Sequence, residues 1–246
     1  MILFVFEGEK AEPIVFDSIR KLYLASEKVE VVKCKYDLPT LYAKLKASGY
    51  DVFRVLPLQE NGIVLPEGAR IDTLFSQIYL FFDYDFQNRM GLDRLNPILE
   101  EMLDFFDDET GNGKLYINYP MVESLKYTKE LPDSNYCSYV VSRESCMKHE
   151  FKSDAEEFAY RRAKGYRFID LKSTPLEELV ENWNHLKFQN VSKAHYIVSG
   201  KYSLPTRKDE IGQKLIFDAQ KNKYVNPNNE VSILNSFPIF LFDYFK

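Results

Sequence analysis

Two acidic tips, far apart along the chain, hold the residues best suited to chemistry. Glu7 follows the unbroken apolar run ILFVF at residues 2–6, and Asp83-Tyr84-Asp85 follows a second run, IYLFF at 78–82. Hard divalent cations such as Mg²⁺ select oxygen ligands, commonly one or two carboxylates with waters and substrate phosphates completing the shell. In Asp-x-Asp just past a strand, both side chains can turn toward one ion, and Glu7 on a neighbouring parallel strand can face them. An ion held this way polarises a phosphoryl oxygen, lowers the pKa of a water or stabilises a leaving oxygen. Acids at strand ends are also common where no chemistry occurs. What sets this pair apart is that each tip follows a strand of the buried type.

For the tips to meet, the two runs must lie side by side. Apolar runs without polar alternation fit strands covered on both faces, as in a parallel sheet. In open α/β sheets the carboxyl edge is where ligands bind. Residues 12–24 read as a helix with Ile14, Phe16, Ile19, Leu22 and Tyr23 on one side, Pro13 suiting its first turn and Glu12 the positive end of its dipole. A strand at 30–34 and a helix at 38–47, stopped by Gly49, follow. Residues 57–70, with Pro57, Gly62, Pro66 and Gly68, predict an irregular connection. After the 78–82 strand come a helix at 92–106, a polar turn at 107–113, a strand at 114–118 and the start of a helix at 119–126. This alternation predicts an α/β fold, a parallel sheet flanked by helices. Past residue 127 it stops. Helical patterns at 155–163 and 175–188 and an apolar tail at 231–245 predict a largely helical C-terminal region. The expected organisation is a catalytic α/β domain over 1–127 and a mainly helical accessory region over 128–246 packed on it.

Bulk properties narrow the class. A chain of 246 residues, 45% hydrophobic and 28% charged, can bury a large core. Its net charge of −5 argues against indiscriminate coating of nucleic acid. The first 127 residues carry 14 Lys/Arg against 21 Asp/Glu, and the remainder 18 against 16. An acidic half beside a mildly basic one suits an enzyme that acts on a polyanion. Three cysteines, an odd number without metal or redox spacing, predict reduced thiols and a cytoplasmic setting. Met1 leads straight into a strand-like run with no signal-peptide pattern, and no apolar stretch is long enough to span a membrane. The three histidines lack ligand spacing, and neither a Gly-x-Ser-x-Gly elbow nor a phosphate-cradling P-loop occurs.

The motif Glu7-Gly-Glu-Lys-Ala-Glu-Pro13, followed by Asp83-Tyr84-Asp85, resembles the Toprim (topoisomerase–primase) domain, and in particular the RloB-like and OLD-type Toprim nucleases of bacterial defence systems. The resemblance covers residues 1–127. It implies a compact parallel α/β fold and Mg²⁺- or Mn²⁺-dependent cleavage of nucleic acid. Glu7 is then a metal ligand or general acid/base, and Asp83 and Asp85 are metal ligands. Tyr119-Pro-Met-Val-Glu123 is similar to a later family segment, which makes Glu123 a further acid. It is equally an ordinary first-turn helix residue. An ATPase partner protein and self-association are compatible with the family, and a membrane partner is not expected. Two departures stand out. Ala11 replaces the family's usual Thr, and Gln87 stands where many Toprim proteins carry a third Asp, leaving a second metal weakly held or absent.

Phosphate contacts need only placed positive charge. Lys10 in the motif and the cluster Arg161, Arg162, Lys164 and Arg167 are the candidates, although Glu156 and Glu157 could also balance that cluster on a solvated helix face. The expected function is a metal-dependent nuclease cutting phosphodiester bonds of DNA or RNA in anti-phage defence. Two alternatives stay open: a catalytically inactive Toprim-like binding or regulatory subunit, and a phosphotransfer enzyme acting on small nucleotides.

Overall fold

A computed structural model describes residues 1–64, 74–157 and 167–245. Its main sheet contains β1 (Ile2–Phe6), β2 (Val29–Lys33), β3 (Gln77–Asp83), β4 (Asp107–Asp108) and β5 (Gly113–Asn118) in the spatial order β2-β1-β3-β5-β4. The first four in that order run parallel, with Phe6 beside Phe81 and Asp83 beside Asn118; β4 alone is antiparallel. Every residue of β1 is buried, as an apolar run without alternation requires. The turn at 107–113 thus carries a short edge strand. Its return into β5 needs a glycine, because Gly113 sits at φ +122° and a Cβ there would lie 2.7 Å from Leu80 Cδ1.

Helices α1 (Ala11–Tyr23), α2 (Leu38–Ser48) and α3 (Leu92–Phe105) flank the sheet, giving the expected α/β architecture. Asp37 caps α2 by accepting the Thr40 N–H, and Gly49 ends it in the left-handed conformation. On α1 the buried stripe is the expected one at Phe16 and Ile19, with Leu22 and Tyr23 partly buried beside the core, but it departs at Ile14. Val15, Phe16, Ser18, Ile19 and Glu12 face inward, while Ile14 is 53% exposed. The phase is set by Phe16, whose tilted ring lies 4.3 Å from that of Phe4 between centroids, and by Ser18, whose hydroxyl accepts the Trp183 indole N–H.

The C-terminal region is largely helical. It contains α4 (Arg143–Met147), α5 (Glu150–Glu157), α6 (Leu176–Ser199), α7 (Gln213–Gln220) and α8 (Ser236–Tyr244), with a small hairpin of β6 (Val140–Ser142) and β7 (Glu230–Ser232). Helix α6 runs past the expected end at 188 to Gly200, which supplies the left-handed stop at φ +82°. The helix expected after Tyr119 is a single 3₁₀ turn, Val122–Lys126. The helical pattern predicted over 155–163 is described only through Glu157. Helix α8 returns to the sheet, where Phe237 stacks on Phe81 at 4.4 Å and Phe240 meets Phe4 edge-on. Among the described residues no helix is long and apolar enough to cross a membrane.

Candidate functional site

Because β1 and β3 are adjacent and parallel, the chain leaves both at one edge of the sheet. The Glu7 N–H continues the ladder to the Phe81 carbonyl at 3.1 Å, and its side chain then crosses to β3, where Oε2 accepts the Asp83 N–H at 2.9 Å. Asp83 Oδ1 in turn accepts from Asn118 Nδ2 at 3.1 Å, the adjacent tip of β5. Three neighbouring strand ends therefore present Glu7, Asp83 and Asn118 as one connected row.

Glu12 joins them from the first turn of α1. It is only 4% exposed, and its Oε1 accepts the Gly8 N–H at 3.0 Å. A Cβ at position 8 would lie 2.7 Å from Glu12 Oε2, so a glycine must follow Glu7 for this carboxylate to approach. The opposite wall belongs to the 3₁₀ turn and to α5. Glu123 is 6% exposed and pairs with Lys152 Nζ at 2.8 Å. Between the walls lies an open cleft of about 900 Å³, also lined by Lys10, Gln87 and His149.

The carboxyls repel one another in a poorly solvated place. Burial pushes Glu7 up to about 8, the Asp83 N–H opposes this, and Asp85, Glu12 and Asp37 add to it. Asp83 is held well above the usual carboxylate range by burial, then by Glu7 and Glu12, with the Asn118 amide acting against them. Burial also raises Glu12. A cluster of this kind stores unfavourable charge that a hard cation would relieve. Gln87 adds a further oxygen: its Oε1 is buried without a hydrogen-bond partner, while its Nε2 donates to Asp85 at 2.8 Å. The residues present therefore fit Mg²⁺ or Mn²⁺ in donor type. Among the described residues no group of three or more His, Cys, Asp or Glu is already arranged around a single ion position.

The sequence-predicted residues fall as follows. Glu7, Asp83 and Glu123 line the cleft together, with Lys10 exposed at its margin. Asp85 does not line it. Tyr84 is buried with its hydroxyl on Asn96 at 2.7 Å, and the chain turns sharply at Asp85, which takes the left-handed conformation at φ +53°. The Asp85 carboxylate then meets Gln87, and burial followed by Asp37 lifts it to about 6. Arg143 clamps the same loop by donating to the carbonyls of Phe86 and Asn88 at 3.0 and 2.9 Å. Arg167 forms a close ion pair with Glu178 and is not part of the cleft lining. Arg161, Arg162 and Lys164 lie outside the described residues.

Sequence reasoning missed Glu12, Asn118, His149 and Lys152. A signal existed for Glu12: a glycine directly after the first acid and a second acid one helical turn later. Lys152 and His149 reach the cleft only through the packing of α5, and no spacing encodes that. Set against protein-family models, curated proteins and solved structures, the chain matches none.

Proposed function

We propose that this chain is a Toprim-type, metal-dependent nuclease, a hydrolase of phosphodiester bonds in DNA or RNA that uses Mg²⁺ or Mn²⁺. One observation carries the reading. The Glu7 carboxylate bridges from β1 to the Asp83 backbone at the carboxyl edge of a parallel sheet, and burial, with neighbouring acids, raises both carboxyls there. The role in prokaryotic anti-phage defence rests on the resemblance of Glu7–Pro13 and Asp83–Asp85 to that family's motifs.

In this reading Glu7 and Asp83 hold the ion, with the Gln87 carbonyl and Glu12 beside them. When bound, the metal supplies Lewis acidity and a water of lowered pKa. The protein's own groups do the rest. Lys10 and Lys152 attract and orient the substrate's phosphates, the latter by leaving its pairing with Glu123. Glu123, freed from that pair, accepts a proton near the reacting phosphate. Plasmid DNA, tRNA and single-stranded DNA incubated with Mg²⁺ or Mn²⁺, and separately with a chelator, test the proposal. Cleavage of at least one polymer is expected, abolished by chelator and by Asp83→Ala with the fold retained. Equal cleavage by Asp83→Ala and the parent would remove this site.

A second reading, a binding or regulatory subunit without catalysis, draws on the position of Asp85, whose carboxylate is engaged by Gln87 rather than facing the cleft. Retention of a nucleic acid without cleavage in any divalent cation would favour it.

A further inference from the structure

Asn118 ends β5, is fully buried, and joins two parts of the molecule that are 118 residues apart in sequence. Its Oδ1 accepts both the Ser236 backbone N–H at 3.0 Å and the Ser236 hydroxyl at 2.8 Å. Its Nδ2 donates to Asp83 Oδ1 at 3.1 Å. A side-chain amide has one acceptor end and one donor end. A backbone N–H can only donate, so Ser236 dictates that the oxygen of Asn118 faces α8. The donor end is thereby aimed at Asp83. A reversed amide would set two donors against each other and an oxygen against a carboxylate.

Ser236 is itself immobilised. The preceding Asn235 caps α8 through the Phe237 N–H at 3.1 Å and donates to Val122 O and Ser124 Oγ at 3.1 and 3.0 Å. Its own N–H goes to Asn190 Oδ1 at 2.9 Å. Each of these polar residues is fully buried. Satisfied polar groups in such surroundings hold one geometry, because any rotation leaves a donor or acceptor unpaired.

We infer that Asn118 is a positioning residue: directed by the amino end of α8, it occupies Oδ1 of Asp83 and leaves Oδ2 as the oxygen offered to a cation in the cleft. The inference rests on the reading of Asp83 as a metal ligand. Outer partners of this kind orient ligating carboxylates, and their loss weakens metal binding by about 10–100-fold.

The test uses Mn²⁺ itself, titrated into the full chain and followed by electron paramagnetic resonance, with thermal unfolding of each variant alongside. Asn118→Ala is expected to weaken Mn²⁺ by about tenfold or more. Asn118→Leu keeps the side-chain volume but can neither accept from Ser236 nor donate to Asp83, and is expected to weaken it as well. Should the alanine variant fail to fold, the leucine variant decides. Ile197→Ala, a core change on α6 outside the cleft lining, is expected to lose stability while keeping the parent's Mn²⁺ affinity. A folded Asn118→Leu that binds like the parent, while Asp83→Ala has lost binding, overturns the role of Asn118 alone. So does a loss in Ile197→Ala equal to that in the Asn118 variants. If the parent binds no Mn²⁺, or Asp83→Ala binds it unchanged, the metal reading falls and this inference falls with it.

Discussion

At the scale of single residues, Glu7 and Asp83 show how a parallel sheet gathers ordinary acids at one edge. Neither side chain is unusual in itself. Adjacent strand ends bring them together in shelter from water, where burial raises both and Glu7 makes Asp83 harder still to ionise. This has a consequence for stability. A carboxyl whose folded pKa lies above its unfolded value stabilises the protein at low pH and loses that contribution as pH rises through the folded value. For Glu7 the window runs from 4.5 to about 8. The metal-free protein should therefore lose stability across that range. Glu7→Gln should raise its melting temperature at pH 8 by about 5 °C and leave it nearly unchanged at pH 4.5. Scanning fluorimetry with chelator present checks both ends. The same variant should lose metal-dependent cleavage, so stability and activity move in opposite directions.

Lys193 is the reverse case. It is fully buried, and burial lowers it to about 7, with Cys137 and Asp133 opposing the shift. Its Nζ donates to the carbonyls of Tyr136 and Tyr139 at 2.9 and 2.6 Å, two acceptors for the two N–H bonds of a neutral amine. A base with a depressed folded pKa costs stability while it must discard a proton, and that cost fades as pH rises from 7 toward its unfolded value. Lys193→Met should flatten the change in stability between pH 7 and 9. Urea unfolding at the two pH values measures it, and an unaltered pH difference would contradict the buried-amine account.

Among the elements, the loop that follows β3 shows what patterning conveys and what it does not. The strands β1 and β3 are legible in the sequence because burial on both faces leaves an apolar run that little else explains. Their acids are legible because they come next. The direction of Asp85 is not, since the turn depends on where the Tyr84 ring finds Asn96, a contact made only after α3 has packed. The burial of Ser18 on α1 is illegible for a similar reason: it is inside because Trp183, far along the chain, needs an acceptor there. Strands as short as β6 and β7 leave no periodic trace at all. Arg143 reaches across from α4 to hold the Asp85 loop by two carbonyls. Arg143→Ala should free that loop. Hydrogen exchange at the Asn88 N–H, which bonds to the Asp85 carbonyl at 2.7 Å, should speed up by about tenfold or more. Exchange in β1 should not change.

Over the whole molecule, the sheet and the helical region share one apolar core. Phe237 and Phe240 of α8 supply rings to the face formed by Phe4, Phe6 and Phe81. Removing such a ring costs about 3–5 kcal/mol, against a total stability of about 5–15 kcal/mol. Phe240→Ala should therefore shift the urea midpoint far to lower concentration, and a shift within error would mean that α8 is not integral to the core. The cleft is joint property in the same sense, with Glu7, Glu12 and Asp83 on one wall and His149 and Lys152 on the other.

The place of α8 has a further consequence during synthesis. A ribosome delivers β1, β3 and β5 long before residues 236–244, so for most of translation Asn118 has no Ser236 to face and the aromatic face of the sheet lies open. A nascent chain therefore carries every acid of the cleft but not the helix that completes their setting.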